Sequence, residues 1–520
     1  MKKWTAFLLT LSLLLSGCGA KEQTSPDVYE GVQIKLSDSK ITVDETEISS
    51  DDTQSVYAAN DIVFYEAGKD FTYGEGDEKD AHEQSEADSH KVVHISKPGT
   101  YIISGKLSAG QIAVDLGKEA KEDPNAVVTL VLNGVDITCE VAPAVIFYNV
   151  FECGSDDEET ATKDVDTSKA GANVIIADNS ENNINGSYVA KIYKTYTLND
   201  DKTQVIDSKK LHKYDGAFYS KQSMNINGGT LGNGVLNINA ENEGLDSELH
   251  LTINGGVINI VSGNDGINTN EDNVSVTTVN GGSLNILCNG STGEGDGIDS
   301  NGWLVINGGT ITSQACATSG DAGIDSDMGI YINGGSVIAT GNMLDHIAGG
   351  DATYAVFSFA SRQAGDNTYT LKNASGKAVW KQSVKNAFSY LIITNSDLVP
   401  GEYTFWQGNT QLAASSVQNM GGMGQERPNM PNGGQGKPDD AFFNQFNGQD
   451  KPDLPNGDFK PDGQMGALPD GVTPPNGQGG MTPPNGFGGM PGGNMAVGET
   501  SKTFTIVKGA NQFANVSAAK

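Results

Sequence analysis

The sequence predicts an all-β fold, a parallel β-helix in which short strands stack coil upon coil. Three observations carry this. A phrase of an apolar residue followed by Asn-Gly-Gly recurs with its Asn at Asn227, Asn254, Asn280, Asn307 and Asn333, always 26 or 27 residues apart. A second phrase, acidic, recurs once in each interval between them: Glu243-Gly-Leu-Asp246, Asp265-Gly-Ile-Asn268, Asp296-Gly-Ile-Asp299 and Ala322-Gly-Ile-Asp325. Two phrases recurring in alternation mark a structural repeat. Around them the apolar residues alternate, as in Leu251 and Ile253 before the corner and Ile258 and Ile260 after it. Period two is the mark of a strand with one buried face. No window carries a helical stripe, so helix-based repeats of similar length are excluded.

The elements follow in chain order. Lys2 and Lys3 precede an apolar run from Trp4 to Leu15, too short to cross a bilayer as a helix and shaped like a signal peptide. Leu15-Ser16-Gly17-Cys18 resembles a bacterial lipobox, which makes residues 1–18 the leader and Cys18 the lipidated N-terminus. The expectation is an extracytoplasmic protein, lipid-anchored to the outer face of the cell membrane and not spanning it. Residues 19–91 read as a tether, opening strands around Ile34, Leu36, Ile41 and Val43, and an acidic mobile loop from Gly68 to His90. Residues 92–345 read as the β-helix, interrupted by an acidic insertion from Gly154 to Asp166. A second interruption, 188–214, alternates about a turn at Asn199-Asp200-Asp201 and reads as a hairpin arm. Residues 346–415 read as an antiparallel β cap, which a solenoid needs to hide its open core and strand edges. Residues 416–498, rich in Gly, Pro, Asn, Gln and Met, read as a disordered loop, and 499–520 as the final strand of the cap.

Charge narrows the partners. The 520-residue chain has a formal net charge of −32, which repels phosphate backbones and makes nucleic acid an unexpected partner. Besides Cys18 there are Cys139, Cys153, Cys288 and Cys316, with no C-x-x-C pair to suggest zinc or redox chemistry. The spacing permits a Cys139–Cys153 bridge without requiring it.

If the coils stack in register, Asp246, Asn268, Asp299 and Asp325 form one column, and Glu243, Asp265, Asp296 and Asp321 a second. Carboxylates ~5 Å apart repel unless protonated or bridged. The chain has no Lys or Arg between Lys221 and Arg362, so no cation is expected nearby. A hard dication with six to eight oxygen ligands answers this, and Ca²⁺ is the expected cofactor. Asn270, Glu271, Asp272, Asn301 and Asp327 are close enough in sequence to complete the shells. The alternative is a solvated acidic face with loose counter-ions.

The hairpin segment holds a cluster of basic and aromatic side chains: Lys191, Tyr193, Lys194, Lys209, Lys210 and Lys213. It reads either as a grip for an acidic glycan or as a solvated hairpin face. Trp303 heads a strand in which Leu304 and Ile306 are the expected inward pair. It should therefore be at least partly exposed, as a platform for sugar C–H faces.

Asn242-Glu-Gly-Leu-Asp-Ser-Glu-Leu-His250, Glu294-Gly-Asp-Gly-Ile-Asp-Ser-Asn301 and the Asn-Gly-Gly series resemble the clostridial cell-surface carbohydrate-binding β-helix family. Pro98-Gly-Thr-Tyr-Ile-Ile-Ser-Gly105 and Leu130-Val-Leu-Asn-Gly-Val-Asp-Ile137 are similar to its N-terminal coils. The resemblance covers roughly Val92 to Trp406. It implies a right-handed β-helix like that of polysaccharide lyases, bound calcium, and binding to plant cell-wall polysaccharide such as cellulose or acidic pectin.

The residues favour a binder over an enzyme. Elimination from a uronate needs a base, and the central coils offer only His250 and His346. Hydrolysis needs opposed carboxyl groups, and the Asp325-x-Asp327 pair lacks the Gly-His-Gly and Arg-x-Lys that accompany it in β-helix hydrolases. The expectation is a non-catalytic surface lipoprotein. The alternatives are a calcium-dependent pectin or polysaccharide lyase and a structural envelope or assembly protein.

Overall fold

Three ladders of strands build the repeat region, two of them running its length. The computed structural model describes residues 26–419 and 495–519. The leader, Cys18 and most of the Gly/Pro/Met-rich tract lie outside the described residues. In the first ladder Ala172–Ile176, Met224–Gly228, Leu251–Ile253, Val276–Val279, Trp303–Ile306 and Gly329–Ile332 pair in parallel, each with the strand one repeat on. The second ladder holds Glu181–Gly186, Val235–Ala240, Val257–Ser262, Ser283–Cys288, Thr310–Gln314 and Ser336–Gly341. The third, a seven-stranded sheet, ends with Gly216–Ser220, Glu243–Ser247 and Ile267–Thr269.

The register is fixed by what each face must do. Ile226, Ile253, Val279, Ile306 and Ile332 stand opposite one another and are fully buried. Each contributes about 1.5–3 kcal/mol of burial, and a slip of one residue would expose them all. Just beyond them the amide Nδ2 of each repeat Asn donates to the Oδ1 of the Asn one repeat earlier: Asn254 to Asn227, Asn280 to Asn254 and Asn307 to Asn280 at 2.9 Å, Asn333 to Asn307 at 2.7 Å. The Gly-Gly that follows makes the corner. Gly282 has φ of 85°, and a Cβ there would lie 2.8 Å from the carbonyl oxygen of Gly256 in the corner below. Only glycine fits both constraints.

The first ladder continues beyond these strands, and with the second it belongs to a 27-stranded mixed sheet. That sheet turns antiparallel at its C-terminal end, where Phe388–Thr394 pairs with both Ser336–Gly341 and Tyr354–Gln363. A separate aromatic core sits there, with Phe357 stacked on Phe405 at 4.4 Å and Phe504 against Phe513 at 4.4 Å. Two strands, Phe504–Ile506 and Ala510–Ala518, complete it where the sequence suggested one. Among the described residues the helices are one α turn, Gln84–Ala87, and one 3-10 turn, Lys118–Glu122, and no helix is long and apolar enough to cross a membrane.

One expectation is corrected and one open question is answered. The segment Gly68–His90 is tied down: the Tyr65 hydroxyl donates to Gly76 O at 3.1 Å, and the Tyr188 hydroxyl to Asp80 at 2.5 Å. Gly74 also forms an antiparallel bridge with Ile192. No disulfide forms at Cys139, Cys153, Cys288 or Cys316, all of which are free thiols.

Candidate functional site

The third ladder and the loops that continue it hold the acidic phrases. Asp246 stands opposite Asn268. Asp299 donates its N–H to Ile267 O at 2.8 Å and Asp325 donates to Ile298 O at 2.7 Å, which carries the same column onward. Asp246, Asn268, Asp299 and Asp325 therefore line up. The second column starts with Glu243 and passes Asp265 and Asp296, since Gly244 N–H donates to Asp265 O and Gly266 N–H to Asp296 O, both at 3.0 Å. Asp321 does not continue it. Gly297 N–H donates to Ala322 O at 3.0 Å, so Ala322 takes the place opposite Asp296. Asp321 lies one residue before that place, and its carboxylate instead accepts from Gly295 N–H at 2.6 Å.

Side chains knit the columns only in part. Asn268 Nδ2 donates to Glu243 Oε1 at 3.1 Å and to Asn270 Oδ1 at 3.2 Å, and Asn270 Nδ2 donates to Asp246. Asn301 Nδ2 donates to Asp272 at 2.8 Å. Glu243, Asp246, Asp265 and Asn268 are buried, and Glu243 Oε2, Asp246 Oδ2, Asn268 Oδ1 and Asp325 Oδ1 have no hydrogen-bond partner. A buried carboxylate oxygen without a donor costs several kcal/mol. Burial, reinforced by Asp215, pushes Glu243 up to about 8. Burial and Asp327 lift Asp299 to about 7, and burial with Asp345 lifts Asp325 to about 8. Asp246, Asp265 and Asp296 are held well above the usual carboxylate range, by burial first and by Glu243 or one another next. Among the described residues no three Asp, Glu, His or Cys side chains converge on one point. The donor sets are carboxylate pairs that amides and carbonyls would have to complete. Glu271 is half-buried, and Asp272 and Asp327 lie exposed at the rim.

The expected absence of cations beside the columns is wrong. The base of the hairpin folds back so that Lys191 Nζ lies 3.0 Å from Asp215, close enough to act on Glu243 and Asp246. Lys213 Nζ lies 3.3 Å from Glu248, whose other oxygen accepts from the Tyr219 hydroxyl at 2.6 Å. Sequence distance hid this, although Asp215-Gly216-Ala217-Phe218 is a worn copy of the acidic phrase and could have signalled it. Beside it His212 stacks on Tyr214 at 4.2 Å; burial takes it down to about 4, so it is neutral. Burial also lowers His250, which packs against the Glu152–Gly154 turn.

The hairpin itself is Tyr193–Leu198 against Val205–Lys210, and its Lys210 ion pair reaches outside it. Lys210 pairs with Glu75 and sits 4.7 Å over the Tyr193 ring. With Lys191 and Lys213 also engaged, Lys194 and Lys209 are the exposed hairpin-strand lysines for which the described residues show no ion pair. A grip made of all five is therefore not what the structure brings together. Trp303 is half-buried at the head of its strand, with Leu304 and Ile306 turned fully inward.

The model of the carbohydrate-binding domain-containing protein family matches residues 89–384. A carbohydrate-binding domain-containing protein of Acetivibrio thermocellus is 27% identical over 257 residues, which is 49% of this chain. The match spans 63% of that relative, so the chain covers less than two thirds of its length. A solved structure, the gadolinium derivative of the polysaccharide lyase-like protein from C. thermocellum, is 19% identical. It has a TM-score of 0.32 over 62% of this chain and 93% of that one.

Proposed function

The chain belongs to the carbohydrate-binding domain-containing protein family, and on that premise we propose that it is a non-catalytic, surface-held polysaccharide binder whose acidic columns are bridged by calcium. The polymer is of plant cell-wall type, cellulose or acidic pectin, and the anchor is a lipid on Cys18. The observation that carries the metal is the set of unpartnered oxygens on buried carboxylates, Glu243 Oε2 and Asp246 Oδ2 above all. Glu243, Asp246, Asn268 and Asn270 would hold one ion; the pair Asp299 and Asp325, completed by amides and carbonyls, would serve the next. The ion supplies positive charge where two lysines are too few, and it lets the carboxylates ionise. The stacked ladders support a right-handed parallel β-helix, the sense that parallel crossovers nearly always take.

The position of Lys191 favours a second reading, elimination from a uronate, with Lys191 as base beside the metal. Its charge state argues against it. Burial works to lower the Lys191 pKa, but Asp215, Glu243 and Asp246 outweigh burial and raise it. An ammonium paired with Asp215 and further favoured by Glu243 and Asp246 has no lone pair to accept a proton at neutral pH. A glycan array of the mature protein, with calcium and with chelator, tests the proposal. Unsaturated product from polygalacturonate would replace it with the lyase, and silence on every polymer would end it.

A further inference from the structure

The asparagine ladder and the acidic insertion were found for separate reasons, but the structure sets them on two sides of one groove. On the outer face of the first ladder, Asn173, Asn225, Thr252, Thr278, Val305 and Tyr331 form a single row, each opposite the next. Two residues along each strand, ~7 Å away, runs the ladder of Asn227, Asn254 and Asn280. The far end of the insertion forms the opposite wall. Thr167 Oγ1 lies 2.7 Å from both Asn225 Oδ1 and Thr252 Oγ1, and Asn225 Nδ2 donates back to Thr167 O at 2.7 Å. Lys163 Nζ sits 5.1 Å from the Tyr331 ring at the end of the row. Between the walls lies a groove of about 330 Å³, lined by Thr167, Ser168, Asn225, Thr252, Thr278 and the ladder amides.

Its chemistry is repetitive and nearly uncharged. An amide has two N–H donors and two acceptor lone pairs. The ladder uses one donor from each Asn and one lone pair from the Asn below it. That leaves one of each per repeat directed off the surface, at the strand spacing of ~4.8 Å. This is close to the length of one pyranose unit in an extended chain. Thr278, in the row below, adds a hydroxyl. Asp166 is the one charged residue in the lining, and Lys163 at the end of the row is already paired with Asp164 at 2.6 Å, so an acidic polymer meets repulsion in the groove.

From this we infer that the groove is the glycan-binding site and that its ligand is a neutral, extended polysaccharide lying along the stack, one sugar to a repeat. The inference rests on the polysaccharide reading above and goes further, naming the site and choosing the uncharged polymer. Sugar hydroxyls take the free amide donors and acceptors, and the Thr167 segment limits the groove to one chain.

The test fills the groove without touching core or ladder. Ser168 is exposed on the wall, so Ser168→Trp blocks the space and leaves the buried Thr167 contacts in place. Thr310→Trp, exposed on the second ladder, is the matched control. Binding of cellohexaose, mixed-linkage β-glucan and polygalacturonate is measured by calorimetry on the mature protein, with melting curves for each variant. The expected result is binding of a neutral glucan by wild type and Thr310→Trp, at least a tenfold loss in Ser168→Trp, and equal melting temperatures. Ser168→Trp binding like wild type overturns the groove and leaves the polysaccharide reading standing. Binding of polygalacturonate alone overturns the neutral ligand. Binding of no polysaccharide by wild type overturns both readings.

Discussion

Removing calcium should make stability fall as pH rises, and the size of the fall can be worked from Glu243. Burial lifts its pKa from 4.5 to about 8 in the folded chain. A carboxyl raised in the native state binds a proton there that the unfolded chain has already lost. Its stabilising contribution is complete below about 4.5 and is lost as pH climbs through about 8. One such proton is worth ~1.4 kcal/mol per pH unit, so ~3 kcal/mol goes between pH 5 and pH 7 from Glu243 alone. Asp299 and Asp325 shift in the same direction but are partly open to water, so they add less. The assay is thermal melting from pH 5 to pH 8, in chelator and in millimolar calcium. In chelator the melting temperature should drop by several degrees across the window. Calcium should restore it at pH 8 and do little at pH 5, where it competes with protons. Glu243→Gln, which is neutral throughout, should make the chelator curve shallower, the other raised carboxyls keeping part of the slope, and should shrink the calcium effect. A chelator curve that is level or rises with pH would refute the reasoning, because it would mean the buried carboxylates are stabilised in their charged form by the protein itself.

Other outcomes follow from named contacts. Asp299→Ala and Asp325→Ala should each reduce the calcium-induced rise in melting temperature, measured at pH 8. Lys191→Met leaves Asp215 and the columns without their nearest cation; it should cost about 1–2 kcal/mol in urea denaturation without metal, below the ~3–5 kcal/mol of a fully buried pair because the ammonium is partly solvated. Adding calcium should recover part of that loss. Lys194→Ala with Lys209→Ala should leave binding of the neutral glucan and its weak salt dependence unchanged, as calorimetry across ionic strength would show, since the groove is lined by amides and hydroxyls and not by these lysines. Cys18→Ser should move the protein from the membrane fraction to the soluble one or leave an unprocessed precursor, read on a blot of fractionated cells.

Much of the stack was legible because its signals are periodic. Ile226, Ile253, Val279, Ile306 and Ile332 repeat at the spacing of the Asn-Gly-Gly corners, and burial and ladder geometry depend on that spacing alone. The acidic columns were legible for the same reason, down to Asp246 facing Asn268. What failed was local or long-range. Asp321 was misplaced because its charge outweighed the phrase Ala322-Gly-Ile-Asp325, which already set Ala322 in the Asp296 position, as the backbone hydrogen bonds do. Lys191 and Lys213 looked remote because the sequence separates them from the columns, yet the arm they flank returns to the third ladder at Gly216. The Gly68–His90 loop looked mobile on composition, but its acids meet the hairpin: Glu75 pairs with Lys210 and Asp80 accepts from Tyr188. Opposite charge in distant segments is a pairing signal that no local window contains.

The same segregation of charge bears on how an acidic protein can hold a polymer at all. With a net charge of −32, a uniform surface would repel uronates and do nothing for neutral glucans. Here part of the negative charge is drawn into buried columns, where calcium would cancel it, and part is paired along the hairpin base. The outer face of the first ladder is left to amides and hydroxyls. Neutral hydrogen-bonding rows bind through short-range contacts, so affinity there should change little with ionic strength. Binding through calcium-bridged carboxylates would fail in chelator at any salt. Measuring one glucan across both variables therefore separates the two surfaces: loss with chelator only as the protein melts assigns calcium to the scaffold, and loss with chelator while the protein remains folded assigns it to the ligand.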